Sequence, residues 1–120
     1  MPAARIAAIN LECADPAALA RFWAEMLDGE TVVETPGFCA VKAGPLHLGA
    51  VKVAEYRPPT WPSAERSQQI HLDLAVEDLD AAERTAIGLG AAKEAAQPGP
   101  DRFRVLRDPA GHPFCLRAMT

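Results

Sequence analysis

The sequence predicts an α+β fold built from two tandem modules, each a strand, a helix and three further strands. Three observations carry this prediction. Between Gln69 and Asp80, apolar Ile70, Leu72, Leu74 and Val76 alternate with His71, Asp73 and Ala75, and Asp78-Leu79 then opens a helical pattern. The N-terminal stretch Arg5–Cys13 followed by Asp15-Pro16 repeats that strand-to-helix passage. The two halves also match at an offset of 61 residues: Ile9-Asn10-Leu11-Glu12 falls on Ile70-His71-Leu72-Asp73, and Gly29 falls on Gly90. An internal duplication explains all three.

Taken in order, the first strand puts Ile9, Leu11 and Cys13 on one face and Ala8, Asn10 and Glu12 on the other. Asp15 suits a helix cap and Pro16 the first helical position. Leu19, Phe22, Trp23, Met26 and Leu27 follow at helical spacing, an apolar stripe whose aromatics are core, and Gly29 supplies the stop. Strands are expected at 30–35, 38–42 and 46–53, separated by Pro36-Gly37 and Ala43-Gly44-Pro45. The proline-rich segment Arg57-Pro58-Pro59-Thr60-Trp61-Pro62 forbids helix and reads as an extended crossover. The second module then gives a strand over 69–76, a helix from Leu79 to Gly90 with Leu79, Ala82, Ala86 and Leu89 on one side, and strands near 93–97, 103–107 and 113–119. The 120 residues thus form a single domain, with module one at about 5–53, the crossover at 54–68 and module two at about 69–119.

Composition narrows the function classes. Apolar residues make up 49% and charged ones 23%, which is ordinary globular usage and argues against global disorder. Twelve basic residues against sixteen acidic ones give a net charge of −4, with no Lys/Arg run, so a nucleic-acid footprint is not expected. No apolar stretch approaches the ~20 residues of a membrane helix. Met1-Pro2-Ala3-Ala4-Arg5 does not read as a signal peptide. Cys13, Cys39 and Cys115 are odd in number and far apart, neither a disulfide framework nor a metal knuckle, and a cytoplasmic protein is expected.

The chain resembles the vicinal oxygen chelate superfamily, in its glyoxalase-like and bleomycin-resistance-like branch. The residues that carry the likeness are Asp15 with Phe22-Trp23 and Leu27, the run from His71 to Leu79, Gly88-Leu89-Gly90-Ala91, and Leu106-Arg107-Asp108-Pro109-Ala110-Gly111-His112-Pro113-Phe114. The Pro58–Pro62 crossover is also similar. The resemblance implies the glyoxalase/bleomycin resistance/dihydroxybiphenyl dioxygenase fold: two βαβββ modules whose mixed sheets curl around a cavity with the helices outside. It also implies a homodimer. Alternation would then turn Ala8, Asn10, Glu12, His71, Asp73, Cys115 and Arg117 toward the cavity.

Metal-dependent members of that superfamily place four ligands, usually His and Glu, on the first, fourth, fifth and eighth strands. Carried over residue by residue, the fifth-strand ligand is His71 and the eighth-strand one falls on Cys115. The fourth-strand ligand falls near Gly49-Ala50-Val51, and the first-strand one on Ala8 or Asn10. Most of the set is missing, so no cofactor is expected. A rearranged divalent-metal site would use His71, Cys115 and Glu12, with Asp73 or His47 joining, and such donors favour zinc over magnesium. Metal-free catalysis would use His71 as a base flanked by Glu12 and Asp73; equally, His71 and Asp73 on one strand face simply hydrogen-bond each other. His112 follows a turn and is expected to be exposed.

The leading expectation is a protein that binds a small molecule, with Asn10, Glu12, His71, Asp73, Cys115, Arg117 and Trp61 as contacts. Arg117 would pair a ligand carboxylate, Glu12 or Asp73 a cationic group, and Trp61 would stack on a planar ring or pack down the linker. The alternatives are a metal-dependent lyase, isomerase or dioxygenase with a rearranged site, and a degenerate scaffold kept as a dimeric interaction module. Catalysis is left open.

Overall fold

The structure, a computed structural model, describes residues 2–119. It contains eight strands and two helices in the order β1 (Ala8–Cys13), α1 (Pro16–Met26), β2 (Glu30–Glu34), β3 (Phe38–Ala43), β4 (Leu46–Lys52), β5 (Leu72–Val76), α2 (Leu79–Leu89), β6 (Ala92–Lys93), β7 (Phe103–Arg107) and β8 (Pro113–Ala118). These form two compact units, one ending at Arg57 and the other beginning at Pro58. Each unit is a βαβββ module with one four-stranded mixed sheet, in the order β1-β4-β3-β2 and β5-β8-β7-β6. The predicted tandem fold class is therefore the observed one.

In each unit the first strand pairs in parallel with the last, and every other pairing is antiparallel. A parallel neighbour cannot be reached through a tight turn, so the chain crosses over through a helix, which covers one sheet face. In the first unit that face is dry. Asp15 caps α1 by accepting from the Ala18 amide at 3.2 Å, with Pro16 at the first helical position. Leu19, Phe22 and Trp23 are then buried over β3 and β4 with Cys39, Val41, Leu48 and Ala50. Phe22 and Trp23 meet edge to face at 5.1 Å, as the apolar stripe predicts.

The repeat's matched glycines do different work. Gly90 closes α2 at φ 121°, a conformation that favours glycine. In α1 the left-handed residue is instead Asp28, at φ 50°. Gly29 is needed for space: a Cβ there would lie 2.7 Å from the Lys42 carbonyl oxygen.

Three expected boundaries move. β5 begins at Leu72 rather than near Gln69, and Ile70 is 79% exposed. Its register with β8 runs Leu72 to Phe114, so His71 would oppose Pro113, which has no N–H for the ladder. β6 is only Ala92–Lys93 rather than extending to Gln97. The Gln97 carboxamide replaces the missing strand, donating to the Val105 carbonyl at 2.8 Å and accepting from the Val105 amide at 3.0 Å. The crossover is closed rather than extended: the Thr60 amide donates to the Arg66 carbonyl at 2.8 Å, and the Arg66 guanidinium to the Pro58 carbonyl at 2.9 Å.

The second unit's helix face also departs from a purely apolar seam. Arg104 on β7 meets Glu83 at 2.9 Å and Asp80 at 3.0 Å on α2, and Lys93 meets Glu83 at 3.2 Å. Burial raises the Glu83 carboxyl's proton affinity, but the hydrogen bonds and charges of Arg104 and Lys93 outweigh it and hold its pKa below the usual value. A depressed folded-state pKa stabilises the fold above the unfolded glutamate pKa, and that contribution is lost on acidification through and below about pH 4. Glu83→Gln is expected to cost about 1–2 kcal/mol at neutral pH. Urea unfolding at pH 7 and pH 3.5 should show the difference between variant and parent shrinking at the lower pH.

Candidate functional site

The helices lie on one side of each sheet, which leaves the other face open for chemistry. Strand register arranges the second unit's open face in rows. Asp73, Cys115 and Val105 form the middle row, and Ala75, Arg117 and Phe103 the next. His71 precedes β5 on the same side, two residues before Asp73. Asp73 is the hub: its Oδ1 lies 3.2 Å from His71 Nε2 and its Oδ2 lies 3.5 Å from Arg117 Nη1. His71 is 44% exposed and Asp73 41%, so the cluster is reachable from solvent in this structure.

Cys115 is half-buried between them. Burial raises its thiol pKa, and the charge of Asp73 and a hydrogen bond to it raise it further, against a smaller opposing effect of Arg117, to about 11. The thiol is therefore protonated at neutral pH, which makes it a poor nucleophile. One further pair belongs to this face: Arg107 is ion-paired with Glu94, which is buried. The sequence held no signal for it, because the pairing depends on a two-residue β6 that brings Glu94 alongside Val105.

In the first unit, Asn10 shares a row with Gly49 and Ala40, while Glu12 shares one with Val51 and Phe38. A Cβ at Gly49 would overlap the Asn10 carboxamide oxygen and lie 2.8 Å from the Phe38 ring. Glycine at 49 thus lets Asn10 and Phe38 close over the strand. His47 is half-buried, in a row with Ala8 and Lys42. Trp61 is half-buried in the crossover, joined to Pro62 by a cis peptide bond.

His112 is half-buried rather than exposed. Its amide and that of Ala110 donate to the Asp108 carboxylate at 3.0 and 2.9 Å, so Asp108, only 4% exposed, shapes the turn before β8. A hollow of about 210 Å³ in the first unit runs between α1 and β2, lined by Ala20, Arg21, Ala24 and Cys39 among others. It is smaller than the ~300 Å³ at which small-molecule pockets begin, and its polar lining residues Arg21, Glu25, Thr31 and Glu34 are exposed.

Among the described residues, His71, Asp73 and Cys115 form the one group of three metal-capable side chains, their donor atoms all within 4.8 Å of one another. The third donor that the structure sets beside His71 and Cys115 is thus Asp73; Glu12 stands on the first unit's sheet. The four-ligand His/Glu set that the resemblance implies does not fit, since neither Ala8 nor Asn10 is a His or Glu and Gly49-Ala50-Val51 offers no side-chain donor. One nitrogen, one oxygen and one sulfur fit a borderline-soft cation, which would supply Lewis acidity.

This tandem architecture with polar groups on the open faces defines the class. The chain belongs to the glyoxalase-like domain family, whose model matches residues 8–117. It is similar in fold to a glyoxalase/bleomycin resistance protein/dioxygenase family enzyme from Burkholderia phytofirmans PsJN, with a TM-score of 0.74, 16% identity, and coverage of 98% of this chain and 100% of that one. It is likewise similar to a bleomycin-binding protein from Streptomyces verticillus complexed with copper(II)-bleomycin, with a TM-score of 0.61, 20% identity and coverage of 98% of both chains. A third similar structure is the fosfomycin resistance protein FosX from Mesorhizobium loti, with a TM-score of 0.70, 15% identity, and coverage of 98% and 92%. No curated protein matches. At these identities the likeness is one of fold.

The origin of the high Cys115 pKa gives a test. Asp73→Asn removes the negative charge and leaves one neutral carboxamide oxygen in place of two carboxylate oxygens, which weakens both influences that favour the protonated thiol. Its Cys115 is expected to be alkylated by iodoacetamide at least about threefold faster at pH 8 than the parent's, by peptide mass spectrometry. An unchanged rate would mean that burial alone sets the pKa.

Proposed function

We propose that this protein captures a small organic molecule bearing an acidic group on the open sheet face of its second unit. The observation that supports this best is the coordinated state of Asp73, whose two carboxylate oxygens face His71 and Arg117. The Asp73 charge is balanced by Arg117, so the cluster is self-consistent with protein groups alone. Arg117 is 61% exposed and has donors to spare for a ligand carboxylate or phosphonate. Ala75 and Phe103 flank it across the strands, one leaving room and the other offering apolar surface. His71, Cys115 and Trp61 are the further contacts in this reading. The resemblance to its superfamily supports a homodimer, and the three widely spaced cysteines support a cytoplasmic protein in this reading. No helix among the described residues is long and apolar enough to cross a membrane.

The rival reading is a metal-dependent lyase, isomerase or dioxygenase with a rearranged site, favoured by the His71–Asp73–Cys115 group. Capture and metal-dependent turnover separate in chelator-treated protein. A thermal-shift screen of small organic acids in that form is expected to yield stabilising ligands. Arg117→Ala should weaken the best of them about tenfold or more by calorimetry, the usual worth of a charge-assisted hydrogen bond. Stabilisation that appears only after a divalent cation is restored would favour the rival.

A further inference from the structure

We infer that the free edge of β2, in the first unit, docks an extended basic segment of a partner protein, one lysine of which enters the hollow between α1 and β2. The inference stands apart from ligand capture on the second unit. β2 ends its sheet, and all five of its residues are exposed, Val32 and Val33 among them. An edge strand offers backbone N–H and C=O groups to a strand that can reach them. The hydrogen bonding shows which groups are on offer. The Thr35 amide donates inward to the Phe38 carbonyl at 2.9 Å, so by alternation the N–H and C=O of Glu34 turn outward. A strand added antiparallel exchanges both bonds with Glu34, and its residue opposite Glu34 carries its side chain on the same face.

That face holds the hollow. The register shift between Thr31 and Val33 resets the alternation, so Thr31 and Glu34 both line the hollow beside α1, where unbroken alternation would separate them. Ala17, Ala20 and Ala24 form its helix wall, and its volume of about 210 Å³ suits one long side chain whose apolar stem lies along those alanines. Glu25 and Glu34 line it as well, and Arg21 offsets only one of the two carboxylates. None of these three charges is in an ion pair among the described residues. An ammonium head group completes the set.

Charge also selects the partner. Glu25, Asp28, Glu30 and Glu34 lie on or beside this edge, against Arg21 and Lys42. A second copy paired through the same outward groups would set Glu34 against Glu34, a like-charge pair that opposes association. A basic strand meets opposite charge at that position.

The test titrates the peptide acetyl-Arg-Thr-Val-Lys-Val-Thr-Arg-amide into isotope-labelled full-length protein and follows amide chemical shifts. The expected result is a saturable change at residues 31–35 and 20–25. Glu in place of the central Lys of the peptide, and Glu34→Gln in the protein, should each weaken binding at least about fivefold. N-methylation of the central Lys, whose N–H meets the Glu34 carbonyl, should abolish the shifts, whereas N-methylation of the Val after it, whose N–H points away, should keep them. Glu34 is exposed, so its variant is expected to fold, and the peptide changes test the assignment without altering the protein. Absence of saturable shifts at millimolar peptide, equal binding of the Glu peptide, or shifts that survive N-methylation of the Lys would overturn the assignment. So would concentration-dependent shifts of residues 31–35 without peptide, the mark of a second copy on this edge.

Discussion

The parallel pairing of each unit's first and last strands is the constraint on which the rest depends. It forces a crossover through a helix, and the helix claims one face of the sheet for the core. Strand alternation then gives the other face to polar side chains. In the second unit the same pairing sets the chemistry: the β5–β8 register makes Asp73 and Cys115 neighbours and puts Arg117 beside Ala75. A slip of one residue would turn Asp73 into the core and Leu74 outward, so apolar burial of Phe114 and Leu116 holds the polar cluster in place.

The two units share this plan but diverge in its use. In the first, α1 seals a dry face, and the open face is closed down over Gly49 by Asn10 and Phe38. In the second, α2 buries only Ala86 fully and is tied to the sheet by Arg104, Glu83 and Lys93, while the open face gathers His71, Asp73, Cys115 and Arg117. The same module plan thus has an apolar helix–sheet seam in the first unit and an ion-paired one in the second.

Most of the fold was legible in the sequence because its signals are local. Alternation at Ile9–Cys13 and Leu72–Val76, caps at Asp15 and Asp78, and the helical stripe through Trp23 each act over a few residues. The parts that were not legible depend on partners distant in the chain. Nothing near His71 announces that Pro113 will end its ladder, nor near Gln97 that its side chain will stand in for a strand. The candidate site was half legible. Alternation put His71 and Asp73 on one face and Cys115 and Arg117 on another strand's polar face, but only the β5–β8 register makes Asp73 and Cys115 direct neighbours.

The central claim is that function resides on the open face of the second unit. Chemical-shift mapping on isotope-labelled protein, using an acidic ligand found by screening, addresses it most directly. The account predicts that the largest shifts fall on residues 71–75, Phe103 and 115–117. Shifts centred on Ala20, Arg21 and Cys39, around the hollow beside α1, would contradict it.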